Sequence, residues 1–181
     1  FQDLLRKYDR SAQEVFTGLH ELFGHGSGKM FKRNTNGSFN FDHACTMDIL
    51  TGCKVASWYE PTQSYVSVFG GLAMAFEECR AYAVAYMLCC DIEVMGTLGY
   101  TGATGQSIKY IIWLRQLREG LRGLTAFDIC NKNWRSVGHA WARFVLLKVV
   151  LEAGEGLLTI KQMLDSQTKT GFVLNLDRSK I

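Results

Sequence analysis

Two of the four histidines in this 181-residue chain fall within one short run, Leu19-His20-Glu21-Leu22-Phe23-Gly24-His25-Gly26-Ser27-Gly28-Lys29. Histidines that hold a metal from one helix commonly stand four apart, as in His-Glu-x-x-His, because four residues of α-helix turn about 400° and leave the rings only about 40° out of line. His25 follows His20 by five, an offset of about 140° that points the second ring away from the first. Two readings stay open. Either the pair is a coincidence, or the helix is locally widened so that both rings reach one metal. Gly24 sits where such a distortion costs least, since it has no side chain to clash.

A third ligand would support the second reading. Catalytic zinc takes three protein ligands and leaves a fourth position to water. The best candidates are the acids of Glu77-Glu78-Cys79-Arg80-Ala81, which lie among Ala75, Phe76, Ala81 and Ala83 in an apolar, helical stretch. Carboxylates there are costly to bury without a cation, and a metal would supply it. The alternative is that both acids face solvent or pair with Arg80.

The composition limits what else the chain can be. It is 48% hydrophobic and 20% charged, ordinary for one folded domain and too apolar for disorder. A net charge of +3, with no basic stripe interleaved with aromatics, argues against nucleic-acid binding. No run of about 18 apolar residues exists, so a membrane span is not expected. The six cysteines form no C-x-x-C pair, and Cys89 and Cys90 are adjacent. Free thiols in a reducing compartment are expected, hence a cytoplasmic location. Both ends look like cuts in a longer protein.

The spacing of apolar residues predicts a helix over 12–24, a hairpin over 29–42 about the Asn36-Gly37 turn, and a loop-rich stretch over 43–66. Further helices are expected over 70–90, 106–120 and 132–152, with a glycine-marked connection over 96–105. Strands are expected over 157–160 and 172–176, around a polar turn. The class is mainly α, a helical lobe with minor β-hairpins.

The paired motifs, His-Glu-x-x-Gly-His and Glu-Glu-Cys-Arg-Ala some fifty residues on, resemble the dipeptidyl peptidase III family of zinc exopeptidases. The likeness spans nearly the whole chain. It includes Phe39-Asn40-Phe41-Asp42, Ser57-Trp58-Tyr59, Asn133-Trp134-Arg135, Leu151-Glu152-Ala153-Gly154-Glu155-Gly156-Leu157 and Leu176-Asp177-Arg178-Ser179-Lys180-Ile181. The resemblance implies one zinc per chain, held by His20, His25 and Glu78, with Glu21 as general base. It implies that Glu77 orients a zinc-bound imidazole and that His139 steadies the oxyanion. Arg143 lies one helical turn beyond His139 and could reach substrate in the same cleft; a fold-stabilising ion pair is the other reading. Cys79, a helix neighbour pointing about 100° from Glu78, is not assigned to the metal. His43 reads as a surface histidine.

The chain departs from the family at Tyr82, where family members carry another glutamate that helps to orient the other histidine ligand, the one that Glu77 does not. A tyrosine hydroxyl can accept a hydrogen bond but carries no charge at neutral pH. Family members are also two-lobed and several times longer, with a mostly β lobe that holds the extended peptide and an earlier catalytic tyrosine. Residues 1–181 resemble the metal-bearing helical lobe alone. The expectation is a zinc-dependent dipeptidyl peptidase acting on the free amino terminus of short peptides. The alternative is a non-catalytic zinc-binding or interaction domain.

Overall fold

Helix α1 (Gln2–Gly18) passes without interruption into a π-helical turn over Leu19–His25. Hydrogen bonds of a π-helix run to the fifth residue, so each turn takes in more residues than the 3.6 of an α-helix. The helix is therefore widened where the five-residue histidine spacing requires it, and the two imidazole centroids lie 4.7 Å apart. The computed structural model describes residues 2–135, 138–164 and 170–181. The chain divides into two units, one of Phe1–Gly26 with Met74–Ile181 and one of Ser27–Ala73.

The larger unit is built from helices. After α1 and its π-turn come α3 (Ala73–Leu88), α4 (Ile92–Thr97), α5 (Gly102–Gly123) and α6 (Gly138–Ala153), with α2 (Tyr65–Phe69) belonging to the smaller unit. Helix α1 starts ten residues before the expected 12–24 segment, because Leu4, Leu5 and Tyr8 continue the apolar stripe of Ala12, Val15, Phe16 and Leu19 at three- and four-residue steps. Helix α4 occupies part of the stretch expected as a connection. Asp91 caps it by accepting from the backbone N–H groups of Glu93 and Val94. Helix α6 begins later than the expected 132–152. Asn133–Trp134 forms strand β2, which pairs with β1 (Phe127–Asp128), while residues 136–137 of that expectation lie outside the described residues.

Strands β3 (Leu158–Leu164) and β4 (Thr170–Leu176) pair antiparallel from Leu158↔Leu176 onward. The strands extend into the polar stretch expected as a turn between 160 and 172, and residues 165–169 of that stretch lie outside the described residues. The class is mainly α, with two small two-stranded antiparallel sheets among the described residues. Among the described residues no helix is long and apolar enough to cross a membrane.

The smaller unit keeps the Asn36-Gly37 turn but not the strands expected beside it. Gly37 adopts φ +83°, and Arg33 bridges Phe39 antiparallel at one position only. Lys32 bridges Tyr59 in parallel on its other edge, and the Asn40 side chain accepts from the Lys32 N–H that a longer hairpin would pair with a backbone carbonyl. His43 is exposed, yet stacks on Phe39 at 4.4 Å and meets Trp58 edge-on at 5.0 Å.

One core of the larger unit gathers Phe16 and Leu19 from α1, Tyr82 and Tyr86 from α3, and Ile108 and Ile111 from α5. A second joins Leu117 of α5 and Leu147 of α6 to Leu158 and Leu176 of the hairpin. Gly24 brings the π-turn against α3: a Cβ added there would stand 2.7 Å from the Ala81 carbonyl oxygen and 2.9 Å from the Ala81 Cβ. Gly24→Ala is expected to destabilise the fold by about 1–3 kcal/mol through overpacking. Urea unfolding checks this, and an unchanged midpoint would refute the close packing of the π-turn on Ala81.

Candidate metal centre

All eight residues singled out by sequence for the site lie in the larger unit. The π-turn supplies His20, Glu21 and His25, helix α3 supplies Glu77, Glu78 and Tyr82, and α6 supplies His139 and Arg143. His20, His25 and Glu78 each offer a ligand atom within 4.8 Å of the other two. His20 Nε2 lies 3.3 Å from Glu78 Oε2, and His25 Nε2 lies 3.9 Å from Glu78 Oε1. Tetrahedral zinc with bonds of about 2.0–2.1 Å separates its ligand atoms by about 3.3 Å, so the set needs only a small contraction.

The polar atoms of this cluster are left unsatisfied by protein. His20 is 4% exposed, and both its ring nitrogens and Glu78 Oε2 are buried without a hydrogen-bond partner. Glu78 Oε2 does approach His139 Nδ1 at 2.9 Å and His20 Nε2 at 3.3 Å, but these contacts lack the directionality of hydrogen bonds. Three orphaned polar atoms in one place are costly, and a cation among them would satisfy the cost. Burial also holds the His20 pKa below its ordinary value, against the opposing pull of Glu78. That favours the neutral imidazole, the form that ligates metal. The residues present therefore fit a divalent cation of the zinc type.

The surrounding groups divide their work. Glu77 Oε1 pairs with His25 Nδ1 at 3.1 Å, which leaves His25 Nε2 facing Glu78. Arg80 grips Glu77 through two bonds, Nη2 to Oε1 at 2.5 Å and Nε to Oε2 at 2.9 Å. Arg80 first, and His25 after it, hold the Glu77 carboxyl below its ordinary range. The acid pair is thus split: Glu78 faces the histidines, while Glu77 meets both His25 and Arg80.

Glu21 is 59% exposed at its side chain, with Oε1 4.0 Å from His20 Nε2. His139 is half exposed and meets both Glu78 and, at 3.4 Å from its Nδ1, the Tyr82 hydroxyl. Arg143 stacks its guanidinium over the Tyr82 ring at 5.2 Å. The Cys79 thiol turns away from the cluster to donate to the Ala142 carbonyl at 3.7 Å, and burial pushes its pKa up.

Tyr82 is buried, its ring centroid 4.4 Å from that of His20 and 5.7 Å from that of Phe16. Burial pushes its hydroxyl pKa up to about 12. The hydroxyl faces His139, and His20 Nδ1 is left without an acceptor.

Two residues that shape the centre were missed by sequence reading. Phe16 lies one turn before His20 and forms a floor beneath His20 and Tyr82; its four-residue spacing from His20 was an available signal. Gly138 lets α6 start against α3, since a Cβ there would come within 3.0 Å of Met74 Cγ and 3.5 Å of Glu78 Cγ. Nothing local in the sequence announces that approach.

The family model for peptidase family M49 matches residues 1–181. This chain belongs to peptidase family M49. Among curated relatives, it is 41% identical over 179 residues to dipeptidyl peptidase 3 of Nematostella vectensis, covering 99% of this chain and 24% of that protein. It is 41% identical over 180 residues to dipeptidyl peptidase 3 of Homo sapiens, covering 99% of the chain and 24% of the relative. The protein of that name from Dictyostelium discoideum is 30% identical over 188 residues, covering 99% of the chain and 26% of the relative. The chain thus spans about a quarter of the length of the relatives it matches, and both histidines and the Glu77-Glu78 pair fall inside the M49 match.

The lowered Glu77 carboxyl makes a pH prediction. Its contribution to stability is fully present above the ordinary value of 4.5 and is lost as pH falls through the lowered folded value. Glu77→Gln should therefore flatten the acid limb of the stability profile measured by thermal unfolding of the metal-free chain. An acid limb identical to wild type would show that the Glu77 contacts with Arg80 and His25 contribute nothing to stability.

Proposed function

We propose that this chain is the metal-bearing part of a zinc-dependent dipeptidyl peptidase that releases dipeptides from the free amino terminus of short peptides. The observation that supports it most is the convergence of His20, His25 and Glu78 around buried polar atoms that no protein group satisfies. When bound there, zinc would polarise the scissile carbonyl and bring the pKa of its water towards about 7.

The chain's own residues carry the remaining work. Glu21, exposed beside His20, takes a proton from water as general base and returns it to the leaving amine. Glu77 fixes the tautomer and orientation of His25 through Nδ1, and Arg80 keeps that carboxylate charged. His139 donates to the carbonyl oxygen as negative charge develops on it. Its partly exposed ring beside Glu78 supports that role. Arg143, one turn further along α6 and held over Tyr82, contacts the bound peptide.

Residues 1–181 read as the mostly helical, metal-bearing lobe of a longer two-lobed peptidase, in line with the 24% of the human relative's length that the chain covers. The six cysteines are free, which supports a cytoplasmic setting. A second reading, a zinc-binding domain without catalysis, is favoured by one observation: Tyr82 leaves His20 Nδ1 with no acceptor.

Metal analysis of the purified chain should find one zinc per molecule. His20→Ala should abolish it and Glu21→Gln should retain it; absence of zinc in the wild-type chain would overturn both readings. In the full-length protein, Glu21→Gln should slow dipeptide release by about 10²–10⁴-fold, and equal rates would leave only the binding role. Supplying an acceptor through Tyr82→Glu should tighten zinc by about 10–100-fold in chelator competition, with Tyr82→Phe close to wild type. Unchanged affinity in Tyr82→Glu would show that His20 needs no such partner.

A further inference from the structure

The Tyr82 hydroxyl is a buried polar group that the proposed reaction does not yet use. Tyr82 is 3% exposed, and its ring is fixed on two sides, by His20 and by Phe16. It meets the His139 imidazole edge-on at 78°, which brings the hydroxyl within 3.4 Å of His139 Nδ1. That imidazole is half exposed, and among the described residues no protein group pairs with its Nε2. The inner nitrogen of His139 is therefore held by the fold, and the outer one is left for a ligand.

The direction of the hydrogen bond follows from what each partner can do. Arg143, whose guanidinium stands 5.2 Å from the centre of the Tyr82 ring, donates towards the hydroxyl, and a guanidinium has no acceptor to offer in return. A phenol is protonated at neutral pH, and its hydrogen needs an acceptor once buried. Among the described residues His139 Nδ1 is the acceptor within reach. A neutral imidazole that accepts at Nδ1 carries its own hydrogen on Nε2. Glu78 Oε2 stands 2.9 Å from the same Nδ1 and would draw the hydrogen there instead. It forms no hydrogen bond in that position, and on the reading above it belongs to the metal.

We propose that Tyr82 is a positioning residue for peptide cleavage: its hydroxyl, steadied by Arg143, donates to His139 Nδ1 and so keeps the imidazole hydrogen on Nε2, the nitrogen that donates to the scissile carbonyl oxygen. The inference rests on the oxyanion role given to His139 above. Tyr82 acts through His139 and touches no substrate. The same tyrosine that leaves His20 Nδ1 without an acceptor thus sets the tautomer of the other histidine it meets. With the tautomer fixed before substrate arrives, the donor needs no rearrangement as charge develops on the oxygen.

The test incorporates isotopically labelled histidine into the zinc-loaded 181-residue chain and reads the ring nitrogens by long-range proton–nitrogen correlation, which separates protonated from bare nitrogens. The chain has four histidines, and His139→Gln assigns the signal. At about pH 8, where an ordinary imidazole is neutral, the wild-type His139 hydrogen should sit on Nε2. Tyr82→Phe keeps the ring against His20 and Phe16 and should move the hydrogen towards Nδ1, where Glu78 Oε2 is then the nearest polar atom. In the full-length protein Tyr82→Phe should lower kcat about tenfold with KM and zinc content unchanged. In a His139→Ala background the same substitution should change kcat by less than about twofold, because the residue it acts through is gone. A hydrogen on Nδ1 in wild type, a tautomer unmoved by Tyr82→Phe, or a tenfold loss that persists without His139 would overturn the proposal. The tautomer is read whether or not peptide is cleaved, so its failure is distinct from failure of the zinc peptidase reading, which shows in metal content and in the Glu21→Gln rate.

Discussion

The contact of Gly24 with Ala81 is the constraint on which the candidate centre depends. A five-residue histidine spacing is useless on an ideal α-helix, because the rings diverge. The π-turn over Leu19–His25 brings them back together, and the absence of a side chain at Gly24 lets that wider turn lie flat on α3. Closeness to α3 then places Glu78 beside both rings. Backbone geometry, close packing and ligand convergence are one fact seen at three levels.

Electrostatics make the same arrangement asymmetric. Adjacent acids on a helix diverge by about 100°, so one sequence pair serves two surroundings. Glu78 lies among three imidazoles, those of His20, His25 and His139. Glu77 binds Arg80 and His25, and its charge is held by them. His25 thereby gains a charged partner on its second nitrogen, whereas His20 has none. The two histidines of one motif are held by different means: a carboxylate for His25, burial against Phe16 and Tyr82 for His20.

Helix α3 also links the centre to the rest of the unit. Its first half carries the acids, Tyr82 joins His20, His139 and Arg143 through ring contacts, and its last turn delivers Cys89 and Cys90 to the cavity at the start of α5. Apolar residues lie on nearly every side of α3, and of these Met74, Phe76 and Met87 are left exposed.

Much of this was legible in the chain itself. The mainly α class, and a widened turn at Gly24 as one of two readings of the His20–His25 step, follow from spacing within short segments, and short-range spacing survives folding unchanged; the joining of that step to Glu77 and Glu78, some fifty residues on, was what the family resemblance implied. Tertiary structure decided what depends on distant partners. It set Lys32 beside Tyr59, laid Arg143 over the Tyr82 ring, and left His20 Nδ1 buried without an acceptor. Those outcomes are set by which surfaces meet across the fold, and a local pattern carries no record of what will be packed against it.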